Sequence, residues 1–261
     1  MGKKNFTNIL VNSTLAFVSA FIVTTIFHEV GHYLSYSFFG YEVTLFHNFV
    51  QTTHQNPDNI ITIISAAAGP VFSLLQGLVF AFFIFKQKSN SSNKLFMLWL
   101  SLLGFVNFFG YLVITPFTTT GDTEKIALLL DVNFSLRIVI AVIALFALLW
   151  IISKVATRFN NFIPEQTDKA VKAKYIYHIM FFPIILGSIV NAFLALPSVA
   201  LLSLIYPATS PYVIMSSFPA ILKSSNQQTT IAAFENKIVK SLLILALCSI
   251  TINRLLTLGI G

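Results

Sequence analysis

Two histidines and a glutamate fall within five residues, His28-Glu29-Val30-Gly31-His32, inside a long apolar run. The pattern is H-E-x-x-H. On an α-helix, residues i and i+4 share one face a turn apart, so both imidazoles can reach a single metal ion. Glu29, next to the first ligand, is placed to serve as general base towards an activated water. The plainer reading is a pair of hydrogen-bonded core histidines. It leaves a glutamate in the middle of an apolar helix, which is costly without a partner, and ionisable groups in such helices are functional by default. The chemistry expected is zinc-assisted hydrolysis, with Zn2+ on His28 and His32 and Glu29 as the catalytic residue.

Such a site needs a third protein ligand and one open position. The chain holds only nine Asp and Glu and five His, so the candidates are few. They are Glu42, His47, His54, Asp58, Asp122, Glu124, Asp131, Glu165, Asp168, His178 and Glu235. Choosing among them requires the elements that carry them.

Of 261 residues, 56% are hydrophobic and 10% are charged, where a soluble domain carries about a quarter charged. Mean hydropathy is +0.81. This excludes a disordered chain, a soluble enzyme and a nucleic-acid binder, since the net charge of +7 comes from 16 scattered Lys and Arg with no block to track a phosphate backbone. Cys248 alone allows no intrachain disulfide and no Cys-based metal cluster. The expected fold is an all-α polytopic membrane protein embedded in the lipid bilayer. A span needs about 20 apolar residues, and six are predicted at 8–39, 60–85, 95–115, 136–152, 175–206 and 238–258. The segment 212–222 is apolar but short, so it reads as interfacial or re-entrant. Lys3 and Lys4 before an apolar run imitate a signal peptide, but the run continues well past Ala20, which favours an uncleaved anchor.

Six spans put both termini on one face. With the N-terminus inside, the inner segments hold eleven basic residues, Lys3, Lys4, Lys86, Lys88, Lys94, Lys154, Arg158, Lys169, Lys172, Lys174 and Arg254. The outer segments hold five, Lys125, Arg137, Lys223, Lys237 and Lys240. The bias predicts N-in and C-in. His28 and His32 then lie in the outer part of the first span, and the third span delivers Asp122 to the same face. Asp122 is therefore the preferred third ligand, with Glu124 and Asp131 behind it. A helix N-cap after the Gly121 turn is its plainer role. Glu165 and Asp168 fall on the opposite face with the basic loop.

His28-Glu29-Val30-Gly31-His32-Tyr33, running on to Phe39-Gly40-Tyr41-Glu42-Val43, resembles the metal-binding helix and following strand of the site-2 protease (M50) intramembrane metalloproteases. Ser65-Ala66-Ala67-Ala68-Gly69-Pro70 resembles the small-residue Ala-Gly-Pro motif of that family's middle core helix. Pro116 with Gly121-Asp122 is similar to the Pro…Asp-Gly motif that supplies the family's Asp ligand. The likeness covers about 22–124. It departs from the family at Val113, where an Asn is usual, at Ser73, in a Pro-to-Asp spacing one residue longer, and in Gly121 preceding the Asp. Members of the family usually bring this helix towards the cytosolic face, whereas the charge bias points it outward.

The resemblance implies a catalytic core at 1–134 and accessory transmembrane helices at 135–261, in a multi-pass protein of a bacterial cell membrane. It implies an intramembrane endopeptidase acting on transmembrane or membrane-associated peptide substrates, with a membrane regulator as a possible partner. Residues 40–46 alternate and are rich in β-branched and aromatic side chains, so they read as a short strand. By resemblance this strand, through Tyr41 and Val43, holds an unwound substrate segment, and Asn107 substitutes for the missing Asn. Ser35, Thr118, Thr119 and Thr120 are candidates to line a water path, or they bond back to helix carbonyls. Two other readings stay open: a catalytically altered metal-binding scaffold, or a transporter that uses the His pair.

Overall fold

The structure is a computed structural model describing residues 6–53, 58–86, 91–164, 167–198, 201–224 and 237–261. His54, Glu165, Glu235, Lys3, Lys4 and Lys88 lie outside the described residues. The chain is an all-α polytopic membrane protein, with one small sheet among the described residues. Its elements are α1 (Phe6–Phe38), β1 (Val43–Leu45), β2 (Val50–Thr52), α2 (Asn59–Lys86), α3 (Ser92–Ile114), α4 (Asp122–Leu129) and α5 (Phe134–Val155). They continue with α6 (Lys169–Ile176), α7 (Phe182–Leu194), α8 (Leu201–Thr209), α9 (Phe218–Lys223) and α10 (Lys240–Leu255). A π-helical turn, Tyr177–Phe181, joins α6 to α7. Among the described residues, six helical stretches are long and apolar enough to cross a bilayer.

Helices α1 and α3 form the interior, and their small and polar residues set how closely α2 approaches. A Cβ added at Gly104 of α3 would lie 2.6 Å from the Ser73 carbonyl oxygen and 2.7 Å from the Gly77 nitrogen of α2. At Gly31 of α1 it would lie 2.7 Å from the Ala68 carbonyl oxygen. Backbones in contact at glycine are how apolar helices pack tightly where lipid supplies no hydrophobic drive. The amide of Gln76 links all three helices, donating to Thr24 Oγ1 at 2.7 Å and to the Leu100 carbonyl at 2.9 Å.

Strands β1 and β2 form an antiparallel hairpin in the register Val43↔Thr52, Thr44↔Gln51 and Leu45↔Val50. The strand expected at 40–46 is present as β1. Its other edge is taken by the C-terminal tail: Leu45 N–H donates to the Ile260 carbonyl at 2.7 Å, and Ile260 N–H returns the bond at 3.0 Å.

This tail contact corrects the expected topology. Helix α10 starts beside the start of α1, where Asn12 Nδ2 donates to the Lys237 carbonyl at 3.0 Å and Asn12 Oδ1 accepts from Val239 N–H at 2.8 Å. It ends beside the hairpin that follows α1. The two helices are therefore parallel, and the ends of the described chain lie at opposite ends of the bundle, not N-in and C-in together. The additional crossing is 201–224. It leaves from Asn48, whose carbonyl accepts from Ser203 Oγ at 3.5 Å. It arrives at the far end, where the Ile221 carbonyl accepts from Asn160 Nδ2 at 2.9 Å and the Ser224 carbonyl from Lys172 Nζ at 2.6 Å. Pro211 and Pro219 open the 3-10 stretch at 210–217 and α9, dividing the crossing into these two pieces and α8, which carries Pro207 inside it. No piece is long enough to register as a span, which is why 212–222 reads as interfacial in sequence.

The fifth span, expected to reach 206, ends at Leu194. Its last carbonyls are taken by side chains from two other elements. Ala195 O accepts from His47 Nε2 at 3.1 Å and Asn48 Nδ2 at 3.0 Å. Arg254 donates to Leu194 O and, at 2.7 Å, to Leu196 O. Pro197 follows and cannot extend the helix.

Candidate metal centre

His28 and His32 stand one turn apart on α1, 7% or less exposed, and their Nε2 atoms are 3.1 Å apart. Asp122, the first residue of α4, places Oδ2 3.0 Å from His28 Nε2 and 3.3 Å from His32 Nε2. Among the described residues these three gather as a group able to hold a metal ion.

The outer ring nitrogens fix the tautomers. His32 Nδ1 is 2.7 Å from the Ser65 carbonyl, which only accepts, so Nδ1 carries the proton. Ser73 Oγ donates to the Gly69 carbonyl at 3.2 Å and thus accepts from His28 Nδ1 at 3.3 Å. Neutral imidazoles held this way direct both Nε2 lone pairs at a carboxylate oxygen. With both imidazoles neutral, three acceptor atoms face one another, and they repel unless a cation, a proton or a metal ion, lies among them. Tetrahedral zinc with bonds of about 2.0–2.1 Å sets its ligand atoms roughly 3.3 Å apart, so the observed separations fit. Oriented outer nitrogens are also the usual support of ligating histidines.

The positions of these groups follow from local sequence. Gly69 is where the imidazoles need space: a Cβ there would lie 2.6 Å from His32 Cε1 and 2.9 Å from His28 Cε1. Pro70, inside α2, offers no N–H to the Ala66 carbonyl and loosens the ladder beside Ser65, whose carbonyl receives His32. Asp122 is aimed by the turn before it. Gly121 caps α4 with φ 150° and ψ 161°, a conformation open essentially to glycine alone. Asp122 is thus not itself the cap. Thr123 anchors the turn, donating to the Tyr111 carbonyl at 2.9 Å and lying 2.6 Å from Thr115 Oγ1.

The group opens into a cavity of about 650 Å³. Glu29, 8% exposed, lines it together with Tyr36, Asn107, Tyr111, Thr118 and Thr120. The second half of the chain supplies much of the opposite wall, including Asn191, Tyr206 and Asn253. No family model, curated protein or solved structure matches the chain.

The other sequence candidates lie apart from the group. Glu124 is buried against Arg137, 3.4 Å away. Asp131 occupies a left-handed turn with φ 51°. Asp58 accepts from Ile60 N–H at 2.7 Å, and Asp168 caps α6 through Val171 N–H at 2.8 Å. Glu42 is exposed beside β1. His178 donates to the Lys174 carbonyl at 2.8 Å. His47 is 1% exposed, caps α7, and is held below its ordinary pKa by burial. Of the residues expected to meet substrate, Asn107 lines the cavity, while Val43 is buried under the hairpin and Tyr41 packs edge-on against Tyr36 at 6.1 Å. The hairpin part of the wall is His47, Asn48, Phe49 and Val50. Ser35 bonds to Ser65, with oxygens 3.0 Å apart, instead of lining the cavity.

Tyr111 is a site residue that the sequence does not single out. Its ring stacks on His28 at 5.1 Å and 4°, with its hydroxyl towards Asp122. The only available signal was its place four residues after Asn107 on the face that carries it.

Proposed function

We propose that the chain is a zinc-dependent intramembrane endopeptidase of the site-2 protease type. The observation that carries this reading is the convergence of His28 Nε2, His32 Nε2 and Asp122 Oδ2 within 3.3 Å, beside a buried Glu29 in a cavity large enough for a peptide segment. His28, His32 and Asp122 would hold the ion. Bound zinc supplies Lewis acidity and a water acidic enough to ionise near neutral pH.

The protein residues do the rest. Glu29 takes the proton from the attacking water as hydroxide adds to the scissile carbonyl, and returns it to the leaving amine as the C–N bond breaks. Ser73 and the Ser65 carbonyl keep both imidazoles in the Nδ1–H tautomer, so neither Nε2 needs to lose a proton before binding. The apolar walls limit bulk water to the mouth beside Thr118 and Thr120, which strengthens the charges inside.

The test is zinc content and cleavage of a helical reporter peptide by the purified protein. Glu29→Gln is expected to retain zinc and to lose cleavage by roughly 10²–10⁴-fold, the range for a general base. Full cleavage by Glu29→Gln would remove the assignment. Zinc binding without turnover on any peptide would favour a metal-binding scaffold of the same architecture.

We further infer that the site opens away from the cytosol. Ten described basic residues lie at the end of the bundle far from the hairpin: Lys86, Lys94, Lys154, Arg158, Lys169, Lys172, Lys174, Lys223, Lys237 and Lys240. Three lie at the hairpin end, Lys125, Arg137 and Arg254. The seven-crossing path moves Lys223, Lys237 and Lys240 to the basic end and Arg254 away from it, which sharpens the bias read from sequence.

A further inference from the structure

The cavity holds polar groups that the metal chemistry leaves unused. Asn191, near the end of α7, is 3% exposed and lines the cavity, and neither its Nδ2 nor its Oδ1 has a hydrogen-bond partner. Tyr206 on α8 and Asn107 on α3 line the same cavity, and the buried Tyr206 hydroxyl and Asn107 Oδ1 likewise have no hydrogen-bond partner. Tyr206 lies beside the Asn107 amide and packs its ring 5.3 Å from Phe21 of α1. Buried polar groups in folded proteins are nearly always hydrogen-bonded. Four such atoms around one cavity therefore point to an occupant that supplies complementary donors and acceptors.

Their chemistry selects the occupant. A carboxamide with both ends unpaired complements a peptide group, its Nδ2–H meeting a carbonyl and its Oδ1 an N–H. Tyr206 adds a second donor and Asn107 a second acceptor. A purely apolar ligand would leave all four atoms unsatisfied. An anionic headgroup would find one basic residue, Lys125, among the described residues of the wall. An intact transmembrane helix already satisfies its own backbone, whereas an unwound one exposes N–H and C=O groups that the membrane interior cannot solvate.

We infer that Asn191 and Tyr206 form a backbone-binding subsite on the second-half wall of the cavity, taking up the peptide groups of an unwound substrate segment. This rests on the reading that the occupant is a polypeptide. The subsite is independent of side-chain sequence, and its position is rigid. His47, Asn48 and Arg254 tie down the carbonyls one turn beyond Asn191, and Pro207 follows Tyr206 in α8. The second half of the chain thus recognises the unwound state of the substrate, while the first half carries the metal group.

The experiment measures binding separately from cleavage. Zinc-loaded full-length Glu29→Gln protein is titrated with two fluorescent 21-residue apolar peptides, one carrying Gly-Pro at its centre and one an uninterrupted Leu-Ala helix. The Gly-Pro peptide is expected to bind more tightly. Asn191→Leu and Tyr206→Phe should each weaken it roughly tenfold, the value of one buried hydrogen bond, without changing zinc content or binding of the uninterrupted helix. Asn191→Gln, which keeps the amide, should recover part of the loss. Unchanged binding in both variants, or no binding of the Gly-Pro peptide by the parent, overturns the subsite. If Asn191→Leu does not fold, Tyr206→Phe decides, because it removes one oxygen atom. Binding that depends on Asn191, with no cleavage once Glu29 is restored, would keep the subsite and remove the peptidase assignment. Cleavage indifferent to both variants would do the reverse.

Discussion

At position 69 the missing side chain is the functional feature. The His32 and His28 rings occupy the space a Cβ would take, 2.6 Å and 2.9 Å from the nearest ring carbons. Neither ring can retreat easily, because each outer nitrogen is fixed, His32 by Ser65 and His28 by Ser73. Gly69→Ala should therefore leave α2 helical, since alanine is the better helix former, and still displace the imidazoles. Zinc content measured on the purified variant is expected to fall to the level of His28→Ala. Retention of one zinc per chain in Gly69→Ala would show that the rings can shift and that the geometry is not limited by this contact. In sequence the Ala-Ala-Ala-Gly-Pro run reads as helix packing, which is half of its role. The other half becomes visible only when α2 is laid across α1.

Elements decide where Asp122 meets the two histidines. Helix α4 carries Asp122 at its first position because the Gly121 backbone, φ 150°, turns the chain as no other residue readily can. Thr123 then fastens that turn to the end of α3. Gly121→Ala forces a side chain into a conformation costing about 1–3 kcal/mol, so the turn should relax and draw Asp122 away. Lower zinc affinity with little change in helix content is expected, by metal titration and circular dichroism. Gly110→Ala is the control, since a Cβ there meets nothing within 4 Å, and it should bind zinc as the parent does. This arrangement also explains what sequence could and could not reveal. The i, i+4 histidines, the continuous spans and β1 rest on local periodicity and are legible directly. The choice of Asp122 over Glu124 and Asp131 rested on topology and motif order, and the structure gathers Asp122 with the histidines. The crossing at 201–224 is hidden because Pro211 and Pro219 stand where it breaks into pieces shorter than a span. Asn191 and Tyr206 were hidden because nothing in their own neighbourhood marks them, and only long-range packing brings them to the cavity.

At the scale of the whole molecule, the parallel course of α1 and α10 fixes which groups share a membrane face. The hairpin, the mouth of the cavity, Lys125 and the end of α10 lie together, and most of the described basic residues lie at the other end. Basic residues near the ends of spans are retained on the cytosolic side, so the hairpin end should face outward. Replacing Cys248, the one cysteine of the chain, by Ser allows single cysteines to report on each face. Lys125→Cys sits at the exposed rim of the cavity, and Lys86→Cys lies exposed at the basic end of α2. A membrane-impermeant maleimide added to intact cells should label position 125 readily and position 86 only after permeabilisation. The opposite pattern would place the cavity towards the cytosol and would mean that ten basic residues against three do not orient this chain. The outward result carries a mechanistic consequence. Substrate segments would then have to unwind near the outer face, with α7, α8 and the end of α10 forming the wall they meet. Regulation by a cytosolic partner would have to act through the basic end, across the full length of α1.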